Sequence, residues 1–188
     1  MLNTARCRLE AAQLCPRHHG LGEYYAHAYM IAAAVTLDRD HESPANLSVF
    51  LDLGSTSHVE VEWDEPSAED RRAHGNTDDA TEFAAYGLGL IATDVTLSLV
   101  ALRRAQRRSG GDYWLVPAGS EIGADDAQDF DRTDMVLLEV AGIDQDTEAK
   151  MRSRLSQKTK QVRRYEKNLR ALALVVGFRG ARIWVKDA

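Results

Sequence analysis

The sequence predicts an α/β protein in which a mixed β-sheet is sandwiched by helices. Two long helical patterns in the second half of the chain alternate with apolar segments of strand length, an order typical of layered α/β folds. Residues 171–178 form a continuous apolar run, which is typical of a strand that is covered on both faces. With 44% apolar residues, the chain of 188 residues can bury a substantial core, since a chain of this length hides roughly 70% of its extended surface on folding.

In the first half of the chain we expect helix followed by a strand hairpin. Residues 5–37 have a helical pattern that is interrupted near Pro16 and Gly20. Strands are predicted at 47–53 and 59–63, and the second of these alternates apolar with acidic residues in a period of two. An acidic loop then leads into the second half of the chain.

The second half is predicted to begin with a long helix over 78–110. Its apolar residues recur every three or four positions along one stripe, as they do in an amphipathic helix. These residues are Leu88, Ile91, Val95, Leu99 and Leu102. The elements predicted after it are strands at 112–116 and 135–141, a helix at 145–169, and strands at 171–178 and 181–186.

Composition and charge exclude several classes of protein. The net charge is −6, from 23 basic and 29 acidic residues, which argues against a uniformly basic nucleic-acid coat. Cys7 and Cys15 are the two cysteines, so no disulfide framework supports the fold. No apolar stretch approaches the roughly 20 residues of a membrane-spanning helix, and the N-terminus lacks a signal-peptide pattern. We therefore expect a cytoplasmic protein that does not associate with membranes.

Two acidic residues fall within predicted strands, where carboxylates are uncommon. Asp112 opens one strand, and Glu139 shares the face of another with apolar residues. A buried lone carboxylate is costly, so such a group normally has a cation or a metal as its partner. The alternative is a strand end at which Glu139 reaches water or an arginine. Glu82 on the long helix is a third candidate acid, although glutamates near a helix start also complement the helix dipole.

The second long helix carries a lysine within its apolar stripe. At 100° per residue, Lys158 lies about 20° from Met151 and about 40° from Val162, so it should point at the sheet. We expect its ammonium group to form an ion pair with Glu139. Residues 150–170 contain nine Lys or Arg and one acid, Glu166. Such a basic helix either contacts phosphates or is ordinary solvated surface. The candidate phosphate-binding residues are Arg154, Lys160, Arg163, Arg164 and Lys167.

Together, these residues resemble the restriction-endonuclease-like fold with its PD-(D/E)XK site. The resemblance covers residues 78–188, and residues 1–77 would form an N-terminal helical and β-hairpin module packed on that core. By resemblance, Asp112 and Glu139 bind Mg²⁺ or Mn²⁺, with Glu82 as the accessory helix acid. Position 141 is alanine where the motif has its lysine. Some members of the fold carry that lysine on the following helix, and here Lys158 would replace it.

The leading hypothesis is a metal-dependent nuclease-like protein that acts on phosphodiester bonds of DNA or RNA. By resemblance it would belong to a restriction or defence system, with Asp112, Glu139 and Lys158 as its catalytic residues. The first alternative is a catalytically inactive scaffold that serves as an interaction or regulatory subunit. The second is a protein-binding module centred on residues 1–77. The sequence favours no oligomeric state, and a dimer is compatible with it.

Overall fold

The computed structural model describes residues 4–52, 54–106, 109–121, 134–165 and 169–188. Within these ranges the chain forms a mixed α/β structure of eight strands and five helices. The strands are β1 (Thr4–Arg8), β2 (Ala45–Leu51), β3 (Thr56–Glu62), β4 (Leu99–Arg104), β5 (Tyr113–Pro117), β6 (Val136–Ile143), β7 (Arg170–Gly177) and β8 (Arg182–Asp187). The helices are α1 (Ala11–Leu14), α2 (Glu23–Leu37), α3 (Ala68–Ala73), α4 (Thr77–Leu97) and α5 (Glu148–Tyr165).

All eight strands belong to one sheet, in the order β1-β3-β2-β8-β7-β6-β5-β4. The neighbouring strands β6 and β7 are parallel, and β4, β5 and β6 are antiparallel neighbours. The three strands of residues 1–77 join the same sheet because β2 pairs in parallel with β8. The boundary that we placed after residue 77 is therefore not a break in the sheet.

The sheet separates two apolar clusters, as alternation along its strands requires. The larger cluster contains residues of α2 and α4, together with strand residues such as Leu138 and Val140. The smaller cluster contains Leu137 and Val162, and α5 packs on β6, β7 and β8. Glu139 follows Leu137 by two positions and therefore faces α5. In the part of the chain that the structure describes, no helix is long and apolar enough to span a bilayer.

The predicted helix over 78–110 is wrong beyond residue 97. Ser98 adopts a left-handed conformation with φ 53° and ends α4. The chain then forms β4, which pairs with β5 in an antiparallel register. Leu99 and Leu102 pack in different clusters on opposite faces of the sheet. Their three-residue spacing suits a helix, but pairing with β5 makes this segment a strand whose first four residues are buried, with apolar clusters on both faces.

The start of the chain also differs from the predicted helix over 5–37. Residues Thr4–Arg8 form β1, which pairs in parallel with β3. Arg8 stabilises this edge, since its guanidinium forms ion pairs with Glu62 at 3.0 Å and Asp64 at 2.6 Å. A short helix, α3, lies in the expected acidic loop and begins with a capping box at Ser67. The hairpin, the other strands and the helix α5 are confirmed with shifted ends.

Candidate active site

Asp112 lies just before β5 and is fixed against β6. Its backbone N–H donates to the carbonyl of Leu138 at 2.7 Å, and its Oδ2 accepts a hydrogen bond from the Val140 N–H at 2.8 Å. The preceding residue must be small, because a Cβ on Gly111 would lie 2.6 Å from the side chain of Leu137. This close approach of the two strands holds the Asp112 carboxyl beside β6.

Glu139 on β6 is 3% exposed and has two partners on α5. The ammonium of Lys158 forms an ion pair with Oε1, and the amide of Gln161 donates to the same oxygen at 2.8 Å. The ion pair that the helical angle predicts is thus confirmed. The Lys158 side chain is only 18% exposed, so this contact is shielded from bulk water.

The carboxyl groups of Asp112 and Glu139 line the same cleft, and the charge of Asp112 acts on Glu139. Burial, followed by the negative charge of Asp112, raises the pKa of Glu139 to about 7, although Lys158 opposes the shift. Burial also raises the pKa of Asp112, against the Val140 N–H bond and the charge of Lys158. Glu139 therefore stays protonated to a higher pH than an ordinary glutamate, because it is buried beside a second carboxyl.

Tyr86 connects Glu82 to this pair. Its hydroxyl lies 2.6 Å from Oε1 of Glu82 and 3.1 Å from Oδ1 of Asp112. Burial raises the pKa of Tyr86, so the hydroxyl stays protonated. It carries one hydrogen and can donate fully to only one carboxyl. The contact with the other carboxyl is therefore favoured when that carboxyl carries the proton.

Glu82 is exposed on α4 and meets Asp112 through the tyrosine hydroxyl rather than directly. Across the described ranges, no group of three or more His, Cys, Asp or Glu side chains is arranged to hold a metal ion. The oxygen donors that the structure brings together are thus the two strand carboxyls. The role of Glu82 as an accessory acid stays a prediction.

These groups line an open cleft of about 860 Å³. A volume of this order is typical of ligand-binding clefts. Its polar lining residues include Asp78, Thr81, Glu82, Tyr86, Arg104, Asp112, Glu139, Arg154, Lys158 and Gln161. The cleft therefore brings together the predicted residues Asp112, Glu139, Lys158 and Glu82.

The predicted phosphate-binding residues divide into separate groups. Arg154 lines the cleft. Lys160, Arg163 and Arg164 are exposed on α5 but do not line it. Lys167 lies outside the described residues. The basic helix thus contributes Arg154 and Lys158 to the cleft, and the exposed group of Lys160, Arg163 and Arg164 lies toward its C-terminal end.

Gln161, Tyr86 and Arg104 are among the polar cleft residues that the sequence did not predict. Gln161 follows Lys158 by three positions, so helical spacing alone places it on the same face. Tyr86 follows Glu82 by four positions on α4, which is again one face of a helix. Arg104 was assigned to the predicted helix over 78–110, and nothing in the sequence separates β4 from that helix.

Comparisons with known proteins leave the site to be interpreted from its geometry. No family model matches the chain, and the searches of curated proteins and of solved structures found no match.

Proposed function

We propose that the protein is a divergent metal-dependent nuclease that hydrolyses phosphodiester bonds of nucleic acid. The observation that carries the proposal is geometric: two carboxyl groups, half-buried Asp112 and buried Glu139, line one open cleft with Lys158 as the ammonium partner of Glu139. We further propose that residues 78–188, which run from α4 to β8, form the restriction-endonuclease-like core, since β5 and β6 bring the two acids together. The free cysteines Cys7 and Cys15 fit a reducing compartment such as the cytoplasm.

The two carboxyls fit a hard divalent cation such as Mg²⁺ or Mn²⁺. Mg²⁺ in proteins is usually held by one or two carboxylates, with water and substrate phosphate as its other ligands. Asp112 and Glu139 supply that donor set, and because their pKa values are raised, a bound dication would favour the ionised carboxylates over the protonated forms. When bound, such an ion polarises a phosphoryl oxygen and lowers the pKa of water.

Residues of the chain hold these carboxyls and supply a second positive charge. The Val140 N–H and the Tyr86 hydroxyl orient Asp112, while Gln161 orients Glu139. The ammonium of Lys158 then lies where it stabilises negative charge that develops on the transferred phosphoryl group. In this proposal Arg154 contacts the strand at the cleft wall, and the other exposed cations of α5 contact phosphates further along it.

A catalytically inactive scaffold is the second candidate function. One observation favours it: Oε1 of Glu139 already accepts hydrogen bonds from both Lys158 and Gln161. An ion pair of this kind satisfies the carboxylate without a metal, and Ala141 leaves the motif position empty. In this case the cleft has no catalytic role, and the protein acts as an interaction or regulatory subunit.

A cleavage assay decides between the two functions. Labelled single-stranded and duplex DNA and RNA are incubated with the protein and Mg²⁺, Mn²⁺ or EDTA. The nuclease cleaves with metal, stops in EDTA, and loses activity in Glu139→Gln and in Asp112→Asn. Glu69→Gln, which changes an exposed glutamate on α3, serves as the matched control and retains activity.

Titration calorimetry with Mg²⁺ in buffers of different ionisation enthalpy provides an independent measurement. We expect binding with release of a proton near pH 7, and no binding when Asp112 and Glu139 are both changed to alanine. Equal binding by the double variant would refute the metal site. Absence of both binding and cleavage would leave the scaffold as the function.

A further inference from the structure

A fixed cation lies at the edge of the cleft. The guanidinium of Arg104, at the end of β4, lies 5.5 Å from the ring centroids of Tyr86 and Tyr113 and 5.6 Å from that of Tyr25. Cation–π contacts with several rings hold the arginine in one position. The Tyr113 hydroxyl is in turn hydrogen-bonded to that of Tyr29 at 2.8 Å. Arg104 also lines the cleft that contains Asp112.

Exposed aromatic rings lie next to this cation and outside the lining of the cleft. Tyr24 is 80% exposed, Tyr25 is 41% exposed and Phe83 is 36% exposed. The rings of Tyr24 and Tyr25 lie 5.6 Å apart, and buried Tyr29 contacts both Tyr25 and Phe83 from beneath. We name Tyr24, Tyr25, Phe83 and Arg104 the aromatic surface. Its rings are exposed to solvent, and Arg104 connects it to the cleft.

We propose that the aromatic surface binds single-stranded nucleic acid, by stacking unpaired bases on its rings while Arg104 contacts a phosphate. The inference rests on the proposed function and names its substrate class. Bases of a duplex are stacked on one another, whereas the free faces of unpaired bases stack on exposed aromatic side chains. A cation among such rings complements the backbone, and the adjoining cleft would place the next phosphodiester near Asp112 and Glu139.

The charge of the protein also favours a stacked strand over a duplex at this surface. Duplex binding without base contacts depends on many cations that neutralise phosphates. The aromatic surface contains one cation, Arg104, and the wall of the adjoining cleft is rich in acids such as Asp78 and Glu82. Stacking, which does not depend on net charge, is thus the main contribution that this surface offers.

Fluorescence anisotropy in EDTA tests the inference without cleavage. The probes are fluorescein-labelled dT20, rU20 and a 20-base-pair DNA duplex, and the two single strands distinguish DNA from RNA as the ligand. We expect at least one of them to bind about tenfold or more tightly than the duplex. Tyr24→Ala and Tyr25→Ala should each weaken that binding roughly 5- to 100-fold, the range expected for losing one stacked base.

Two further variants make the test specific. Phe50→Ala is the matched control, since Phe50 is 40% exposed but packs against Trp184 in another part of the sheet. Tyr24→Phe keeps the ring and should retain binding. Tyr24 is the most exposed of the rings, so Tyr24→Ala tests the inference even if Tyr25→Ala fails to fold.

Binding and cleavage can fail separately. Equal affinity for duplex and single strand, unchanged binding by Tyr24→Ala, or no single-strand binding would overturn the inference. Cleavage restricted to duplex substrates would overturn it while leaving the proposed function intact. Tight binding of a single strand, with no cleavage in the presence of Mg²⁺ or Mn²⁺, would instead overturn the proposed function alone.

Discussion

Two buried carboxylates next to α5 differ in how their charge is balanced. Asp146 is 4% exposed, forms an ion pair with Arg182 at 2.9 Å and accepts the Gly180 N–H at 2.7 Å. Glu139 is 3% exposed but lies against a second carboxyl, Asp112, with Lys158 as the ammonium partner. One carboxylate with one cation is typical of structural support. Two carboxyls beside one cation form an arrangement that gains stability from a further positive charge or a proton.

The largest effect on stability should come from breaking the balanced pair. Asp146→Ala leaves Arg182 and the Gly180 N–H without their carboxylate, so we expect urea unfolding to show a loss of about 3–5 kcal/mol. The exposed ion pair of Asp187 with Arg170 provides the control, and Asp187→Ala should cost at most about 1 kcal/mol. Similar losses in both variants would show that the buried pair has no special structural role.

The largest effect on activity should come from changing Lys158, the ammonium partner of Glu139. Lys158→Met removes the ammonium while Gln161 still donates to Glu139, so fold and metal binding should persist. We expect single-turnover cleavage to slow by about 10²- to 10³-fold, as for loss of one group that stabilises the transition state. Lys150→Met, near the exposed start of the same helix, should cleave like the wild type. An unchanged rate in Lys158→Met would remove that residue from the catalytic proposal.

The same contrast explains which parts of the site the sequence could predict. Glu139 and Lys158 are predictable because periodicity assigns each to an apolar face, where a charge is conspicuous, and Asp112 is predictable because it opens a strand. Lys158 needed only the helical angle, and its contact with Glu139 followed from the neighbouring strand. That tertiary contact could be inferred because α5 directly covers β6.

Other parts of the molecule could not be inferred from local patterns. β4 continues the apolar spacing of α4, and only the left-handed Ser98 and the pairing with β5 separate the two. Because β4 is not predicted, the position of Arg104 beside the tyrosine rings is not predicted either. β1 is five residues long and is defined by pairing with β3, about 50 positions away. Strand propensity depends on such neighbours, so a short edge segment resembles helix when it is considered alone.

The raised pKa of Glu139 should make the free energy of unfolding depend on pH. The pKa of Glu139 is about 7 in the folded protein and near 4.5 for an ordinary glutamate. Between these values the folded state binds the extra proton, so this group stabilises the protein at low pH and loses that contribution as pH rises toward 7. From pH 4.5 to 8 the wild type should lose roughly 2–3 kcal/mol relative to Glu139→Gln in urea unfolding.

Comparison with a variant is needed because His18 acts in the opposite direction. Burial lowers the pKa of His18 to about 4, so its contribution to stability is lost as pH falls below the ordinary value of 6.5. The difference between the wild type and Glu139→Gln cancels this contribution, and Glu69→Gln should parallel the wild type. Parallel curves for Glu139→Gln and the wild type would contradict the raised pKa of Glu139.

The smallest expected effect concerns the exposed cations of α5, for which the described residues provide no buried carboxyl partner. If Arg163 and Arg164 contact phosphates, each contact contributes a slope of about −0.7 to −0.9 to the dependence of log affinity on log salt. The double change to glutamate should weaken binding of nucleic acid roughly 3- to 10-fold near 0.1 M salt and flatten that slope. Arg152→Glu, at a position that pairs with Glu148 near the start of the helix, is the matched control. An unchanged slope would make this end of α5 ordinary solvated surface, and binding would then depend on the aromatic surface.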